Sequence, residues 1–202
     1  MKIGPRYKRA RRLGADIFDK TQSPKFALRV GRKEKSSKRP PSRSDFGVQL
    51  REKQRARFMY GLPERQFASW VRKAIGKKAV QDDQALYTML EARLDNVIYR
   101  LGFAPTRQAA RQYVSHGHMT VNGVRVTIPS YQVRTGDVLR VRKGSEGKLP
   151  FVNLADKVRD HLTPAWLRFD INKGEATVVG MPKLVRSELP FNISAILEFY
   201  RR

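Results

Sequence analysis

The apolar residues between positions 86 and 101 recur at intervals of three and four, which is the spacing of one buried helix face. This pattern predicts one continuous helix of about four turns, ended by Gly102. Arg93, Asn96 and Arg100 lie off the apolar stripe, so they are predicted to share a different face. The stripe consists of Leu86, Met89, Leu90, Leu94, Val97, Ile98 and Leu101.

A shorter helix is predicted after Thr106, whose hydroxyl group suits an N-cap, and Gly117 ends it. The apolar spacing then changes to two, with Asn122 and Gly123 between alternating apolar residues. This dipeptide is the strongest short-range signal of a β-hairpin, because both turn positions need a positive φ. A third strand is predicted over 138–141.

Patterns on either side of this segment predict further elements. Ser44 is a candidate N-cap for a helix that reaches Tyr60, and Pro63 opens a second helix in which Trp70 is predicted to lie in the core. Helices mixed with short antiparallel strands predict an α+β fold. The remaining predicted elements are a helix after Asn153, strands over 166–171 and 176–179, and a last helix after Asn192.

Composition divides the chain into three predicted parts. Residues 1–43 form a basic, partly extended arm, too poor in apolar residues to offset chain entropy alone and expected to order on RNA. Residues 44–90 and 142–202 are predicted to form a mainly helical domain, into which a helix–helix–hairpin domain over 91–141 is inserted. The alternative for the arm is a flexible basic tail with no specific role.

Charge narrows the class of partner. The chain has 202 residues, with 42 Lys and Arg against 18 Asp and Glu, and a formal net charge of +24. Such a surplus is typical of proteins that bind a polyanion, and nucleic acid gains from releasing a counterion at each neutralised phosphate. A membrane is a poorer fit, because the basic residues are spread over several elements and no apolar run reaches the roughly 20 residues of a spanning helix.

Other classes of site are disfavoured. The absence of cysteine excludes disulfides, thiolate zinc sites and cysteine nucleophiles. His116 and His118 have no carboxylate close in sequence, so neither a metal nor a cofactor is predicted. No apolar run follows the N-terminal charges, so a secretory signal peptide is not predicted. Asp16 and Asp19 argue mildly against an organellar transit peptide. A cytoplasmic location is expected, with an organellar one left open.

The candidate RNA-contacting residues combine arginines with amide and hydroxyl side chains. Arginine presents forked donors to phosphate oxygens, and Asn, Gln and Ser can hydrogen-bond the sugar hydroxyls that distinguish RNA from DNA. The alternative is that each arginine simply lies on a solvated helix face. The central set is Arg93, Asn96, Arg100, Thr106, Arg107, Arg111, Gln112, Ser115, His116, Asn122, Gly123 and Arg125, and the flanking set is Arg51, Lys53, Arg55, Arg9, Arg11 and Arg12.

Motifs in the same region resemble a known family. The run from Leu90 to Phe103, with the later Arg107, Arg111-Gln112 and Asn122-Gly123, is similar to the RNA-binding domain named after ribosomal protein S4. Motifs outside that domain resemble the bacterial-type ribosomal S4 family itself, and the resemblance spans most of residues 44–202. These motifs are Asp45 to Gln54, Tyr60-Gly61, Glu64 to Phe67, Ser130 to Val133, Pro164 to Leu167 and Glu198 to Tyr200.

The resemblance implies a structural protein of the small ribosomal subunit without enzymatic activity. Such a protein would bind 16S-type rRNA directly and nucleate assembly of its 5′ domain. It would also lie near the mRNA entry channel, contact ribosomal protein S5 and contribute with it to translational accuracy. The arm departs from many relatives, because it has neither zinc-binding cysteines nor a Gly-Gln-His-Gly loop before Asp45, so a zinc-free arm is expected.

Two alternatives explain less of the sequence. An RNA-modifying enzyme that carries the same domain, such as a pseudouridine synthase, needs a larger catalytic fold than the residues outside 91–141 provide. A free-standing RNA-binding regulator or heat-shock factor accounts for the domain but not for the motifs on either side of it.

Overall fold

The computed structural model describes residues 3–14, 17–18, 21, 23–24, 26–28, 44–76, 82–159 and 161–201. The described helices are α1 (Arg6–Leu13), α2 (Asp45–Met59), α3 (Glu64–Ile75), α4 (Asp82–Glu91), α5 (Leu94–Arg100), α6 (Arg107–Ser115), α7 (Leu154–Arg159) and α8 (Ile193–Arg201). The strands are β1 (Met119–Val121), β2 (Val124–Val126), β3 (Val138–Val141), β4 (Leu167–Asp170) and β5 (Glu175–Val178). The predicted α+β class is confirmed.

The chain forms two compact units, Met1–Leu86 with Leu184–Arg202 and Tyr87–Lys183. In the first unit, α2 begins as predicted, because the Ser44 hydroxyl accepts a hydrogen bond from the amide of Gly47 at 3.3 Å. α8 packs against α2 and α3, and the rings of Phe46 and Phe199 lie 5.4 Å apart. Trp70 is only partly buried, so the prediction that it lies in the core overstated its burial.

Part of the basic arm is folded. Residues 6–13 form α1, whose Ala10 and Leu13 are buried against Phe58 of α2 together with Ile17, Phe18 and Phe26. Five apolar residues of the arm thus contribute to one small core, which the prediction of an arm without structure of its own missed. The basic run at 32–41 lies outside the described residues.

The second unit is built on one antiparallel sheet with the order β2-β1-β3-β5-β4. The predicted hairpin is confirmed, with Val121 opposite Val124 and φ values of 51° at Asn122 and 80° at Gly123. Helices α5 and α6 bury Val97, Ile98, Ala110 and Val114 in the same core as Leu139 of β3 and Ala176 of β5.

The predicted continuous helix over 86–101 is interrupted after Glu91, which is a correction to the sequence pattern. Residues 92 and 93 instead pair with the segment that follows the hairpin: the amide of Val133 donates to the carbonyl of Ala92 at 2.9 Å, and Arg93 forms a bridge with Gln132. The apolar spacing continues across the break because both helices face one core, so the pattern alone does not reveal it.

The predicted domain boundary at 141/142 does not coincide with the compact units. Strand β5 pairs with β3, with Leu139 opposite Ala176, and β4 pairs with β5. Residues 142–183 therefore extend the sheet of the second unit, and the C-terminal residues that join the helical unit begin at Leu184.

Candidate nucleic-acid interface

Two arginines converge on the carboxylate of Asp95, at the start of α5. Arg93 forms a forked pair with it, Nε to Oδ1 at 3.0 Å and Nη2 to Oδ2 at 2.9 Å. Arg111 of α6 donates from Nε and Nη2 to Oδ2 at 2.9 and 2.8 Å. Only 5% of the Asp95 side chain is exposed, so this carboxylate is a buried anion that ties the two helices together.

A second buried carboxylate, Glu91, organises the other side of α5. Arg100 donates from Nε to Oε2 at 2.8 Å and from Nη2 to Oε1 at 3.0 Å, and Asn96 donates from Nδ2 to Oε2 at 3.0 Å. The amide oxygen of Asn96 accepts from Nε of Arg107 at 2.8 Å. The guanidinium of Arg107 lies 4.3 Å from the ring centre of Tyr99, a cation–π distance.

The predicted RNA-contacting residues around α5 and α6 fall into a buried group and a partly exposed group. Arg93 and Asn96 are each only 2% exposed, so their predicted place on an accessible face is wrong. The side chains of Arg100 and Arg111 are 29% and 25% exposed, and Arg107 is also partly exposed. The buried groups therefore fix the orientation of guanidinium groups that reach the surface. We call Arg100, Arg107 and Arg111 the arginine surface.

The N-terminus of α6 is held as the sequence predicted, since the Thr106 hydroxyl accepts from the amide of Ala109 at 3.1 Å. Gln112, Ser115 and His116 are exposed along the helix that carries Arg111. The Ser115 hydroxyl donates to the carbonyl of Gln112 at 3.1 Å and keeps an acceptor oxygen for a ligand.

The hairpin residues have more structural contacts than predicted. Asn122 is exposed, but its Nδ2 donates to Asp137 and its Oδ1 accepts from the amide of Val138, both at 2.8 Å. Exposed Gly123 completes the turn. Arg125 lies against Gly117 at the end of α6, where a Cβ would collide with its guanidinium group, and Nη2 is 3.4 Å from the carbonyl oxygen of His116.

Two predicted contacts in the first unit have structural partners. Lys53 is only 7% exposed and pairs with Glu64 at 2.8 Å, so its predicted accessibility is wrong. Arg55 donates twice to the carbonyl of Leu13, at 2.9 and 2.7 Å, and so caps the C-terminus of α1. Its buried partner Glu52 accepts from Nη1 at 2.6 Å.

The other basic residues of the flanking set keep exposed surface. Arg11 and Arg12 are exposed on α1, and Arg51 on α2 is partly exposed. Arg9 lies 4.7 Å from the ring centre of Phe58, which holds its side chain on the surface of the small core.

Sequence reasoning missed the acids that organise the arginines. Asp95 and Arg111 are 16 positions apart, and Glu91 and Arg100 are 9 apart, so neither pair shows the three- or four-residue spacing of a helical ion pair. It also missed Arg142 and Lys148, which lie near His118. A signal for these was available, because Arg142, Lys143 and Lys148 follow a predicted strand in a glycine-containing turn.

The described residues offer neither a metal site nor a membrane span. Among the described residues, no group of three or more His, Asp or Glu side chains could hold a metal ion. Within the same residues, no helix has the length and apolar character needed to cross a membrane.

Comparisons with known proteins match both parts of the chain. A family model described as the ribosomal protein S4/S9 N-terminal domain matches residues 1–91, and one described as the S4 domain matches residues 92–139. The small ribosomal subunit protein uS4 of Roseiflexus sp. (strain RS-1) is 45% identical over 203 residues, covering 98% of each chain. That of Chloroflexus aurantiacus is 42% identical over 212 residues, covering 99% of this chain and 98% of the relative.

Proposed function

The chain belongs to the uS4 family of small ribosomal subunit proteins, and we propose that it binds the small-subunit rRNA directly through the arginine surface of α5 and α6. The observation that carries this proposal is the pair of buried carboxylates, Glu91 and Asp95, which hold Arg100 and Arg111 by forked hydrogen bonds at 2.8–3.0 Å.

Fixed guanidinium groups suit a folded RNA better than mobile ones. An arginine that is held before binding loses less side-chain freedom when it meets a phosphate, so more of the contact energy appears as affinity. Three fixed guanidinium groups on adjacent helices match a rigid arrangement of phosphates. They match an unstructured polyanion less well. The arginine surface therefore favours recognition of RNA shape through the backbone.

Polar groups among the arginines add the ability to contact sugars. Gln112 and Ser115 are exposed on α6. Amide and hydroxyl groups can both donate to and accept from a ribose 2′-hydroxyl, which DNA does not have. The chemistry of the surface thus favours RNA.

Membership of the family extends the proposal to assembly and decoding. By likeness to bacterial-type members, the chain binds the 5′ domain of 16S-type rRNA early and nucleates assembly of the body of the subunit. It lies near the mRNA entry channel and contributes, with ribosomal protein S5, to translational accuracy. These roles rest on the family, whereas direct RNA binding also rests on the arginine surface.

Two parallel titrations test whether the chain binds rRNA directly and in preference to another RNA. The purified full chain is titrated with a transcript of the rRNA 5′ domain and with bulk tRNA at the same moderate salt concentration. We expect the rRNA transcript to bind at least about tenfold more tightly, because tRNA offers phosphates without the matching arrangement. Equal affinity for the two RNAs would contradict a ribosomal role and leave only general polyanion binding.

A further inference from the structure

A second group of basic side chains surrounds His118, beyond the C-terminal end of α6. It consists of His116, His118, Arg125, Arg142 and Lys148, and we call it the His118 cluster. Its members come from the segment between α6 and β1, from β2 and from the turn after β3, so they are brought together by the fold of the second unit.

Backbone hydrogen bonds fix the turn that supplies Arg142 and Lys148. The amide of Arg142 donates to the carbonyl of His118 at 2.8 Å, that of Ser145 to Arg142 at 2.7 Å, and that of Lys148 to Ser145 at 3.0 Å. The buried Ser145 hydroxyl is 3.0 Å from Nδ1 of His118. The ring of Phe151 packs edge-on against the imidazole at 5.6 Å between centroids. The cluster is therefore built on a rigid base.

The cluster carries positive charge that the protein does not neutralise. Among the described residues, no carboxylate forms an ion pair with Arg125, Arg142 or Lys148, whereas Arg100 and Arg111 each have one. Burial, followed by the charges of Lys148, His116, Arg142 and Arg125, lowers the pKa of His118 from its ordinary value. The repulsion among these groups is a cost of the free protein that a bound anion would remove.

We propose that the His118 cluster is a second RNA-backbone site, which binds phosphates of the same rRNA as the arginine surface. This inference rests on the proposed function, since it takes the partner to be RNA. The net charge of +24 makes a polyanion the natural counter-ion, and two sites on one unit would engage separate stretches of one folded strand.

The surface of the cluster also permits close approach. A Cβ added at Gly144 or at Gly147 would meet no other atom within 4 Å, so the backbone of the turn is open to a ligand. Lys143, Lys148 and Arg125 are exposed. A sugar–phosphate strand could therefore lie along the turn and contact cations on both sides of it.

A charge-matched pair of variants tests the site. Arg142→Gln with Lys148→Gln removes two charges from the cluster, and Arg159→Gln with Lys183→Gln removes two exposed charges elsewhere in the same unit. For the 5′-domain transcript, we expect the first pair to weaken binding about tenfold or more. Its log–log salt slope should fall by roughly two, at about 0.9 per duplex phosphate contact. The second pair should change both quantities far less.

The outcomes separate this inference from the proposed function. If the wild-type chain does not prefer the rRNA transcript over tRNA, the proposed function fails. If it does prefer it, but the cluster variant and the control variant bind equally well, the arginine surface suffices and the second site is refuted. Thermal unfolding should show that neither variant is less stable than the wild type, because none of the four side chains forms an ion pair within the described residues.

Directed cleavage locates the site without relying on affinity. Because the chain has no cysteine, Lys148→Cys creates a unique thiol that can carry an iron chelate. In the complex, we expect discrete cuts in the rRNA from position 148 that differ from those produced by Lys183→Cys. Absence of cuts from position 148, with cuts from a probe at Gln112→Cys beside the arginine surface, would refute the second RNA site.

Discussion

Arg111 of α6 donates two hydrogen bonds to one carboxylate oxygen of Asp95 in α5, at 2.9 and 2.8 Å. The acid is buried and the arginine is partly exposed, so the negative charge of Asp95 sets the position of a cation that faces solvent. A protein of net charge +24 thus places carboxylates beneath its candidate RNA surface. Charge alone predicts that removing a carboxylate strengthens RNA binding. Here its removal should weaken rRNA binding, because an arginine loses its fixed position.

Asp95→Asn should destabilise the second unit by about 3 kcal/mol, because it leaves the buried guanidinium of Arg93 without its counter-charge. Denaturant unfolding measures the loss. Asp156→Asn is the control, since it removes an exposed carboxylate of α7 in the same unit and should change stability by less than about 0.5 kcal/mol. Equal effects of the two substitutions would show that Asp95 does not organise the helices.

Glu91→Gln tests whether RNA binding depends on the orientation of Arg100 or only on the net charge of the protein. The substitution raises the net charge by one, which favours general RNA binding, but it weakens the forked pair with Arg100. Binding to the 5′-domain transcript should weaken about threefold or more, while tRNA binding should stay the same or strengthen. Parallel titrations of the two RNAs measure the split, and a uniform gain for both would show that Arg100 needs no fixed orientation.

The salt dependence of binding should distinguish charge from geometry at the arginine surface. Arg107→Gln and Arg111→Gln should each weaken rRNA binding and reduce the log–log salt slope by about one, because each removes a proposed phosphate contact. Arg107→Lys and Arg111→Lys keep the charge but lose the forked donors, so affinity should fall while the slope stays the same. Arg93 does not belong in this series, because it is buried.

Local chemistry was sufficient to predict the caps and the turn. Ser44 and Thr106 accept hydrogen bonds from the amides three residues ahead, and Asn122 and Gly123 have the positive φ values of their turn. Each of these features depends on a few adjacent residues, so the sequence contains the whole cause.

Contacts between distant residues could not be predicted in the same way. The sequence pattern placed the arginines of the central set in one group, but their division into buried and exposed members depends on two acids. Glu91 of α4 pairs with Arg100 of α5, and Asp95 of α5 pairs with Arg111 of α6. Likewise, the pairing of β5 with β3 joins residues about 37 positions apart, such as Leu139 and Ala176, and no local pattern encodes it.

Arg55 is expected to stabilise α1 and not to bind RNA. Arg55→Met keeps much of the aliphatic bulk but removes the donors to the carbonyls of Leu13 and Gly14. Amide hydrogen exchange in α1 should accelerate by tenfold or more, while exchange in α6 stays unchanged. Arg51→Met on the same helix is the matched control. Faster exchange in α1 with that control as well would indicate a general effect of charge loss.

Lys53 and Glu64 should make the first unit sensitive to acid. Burial raises the pKa of Glu64, but hydrogen bonds from Lys53 and Tyr200 and the charges of Lys53 and Arg57 outweigh it, so the pKa lies below its ordinary value of 4.5. A lowered carboxylate pKa gives stability that is fully present above the unfolded-state value and is lost as pH falls through the folded-state value.

Glu64→Gln should therefore flatten the decline of unfolding free energy below pH about 4.5, while Lys53→Met should lower stability near neutral pH, where the ion pair is formed. Denaturant titrations from pH 7 to pH 3 measure both effects. Because Lys53 also lies 4.5 Å from the ring centre of Phe199 within the packing of α2 against α8, its loss should leave rRNA affinity at pH 7 unchanged. A salt slope reduced by one in Lys53→Met would instead make Lys53 a phosphate contact and contradict its assignment as a structural residue.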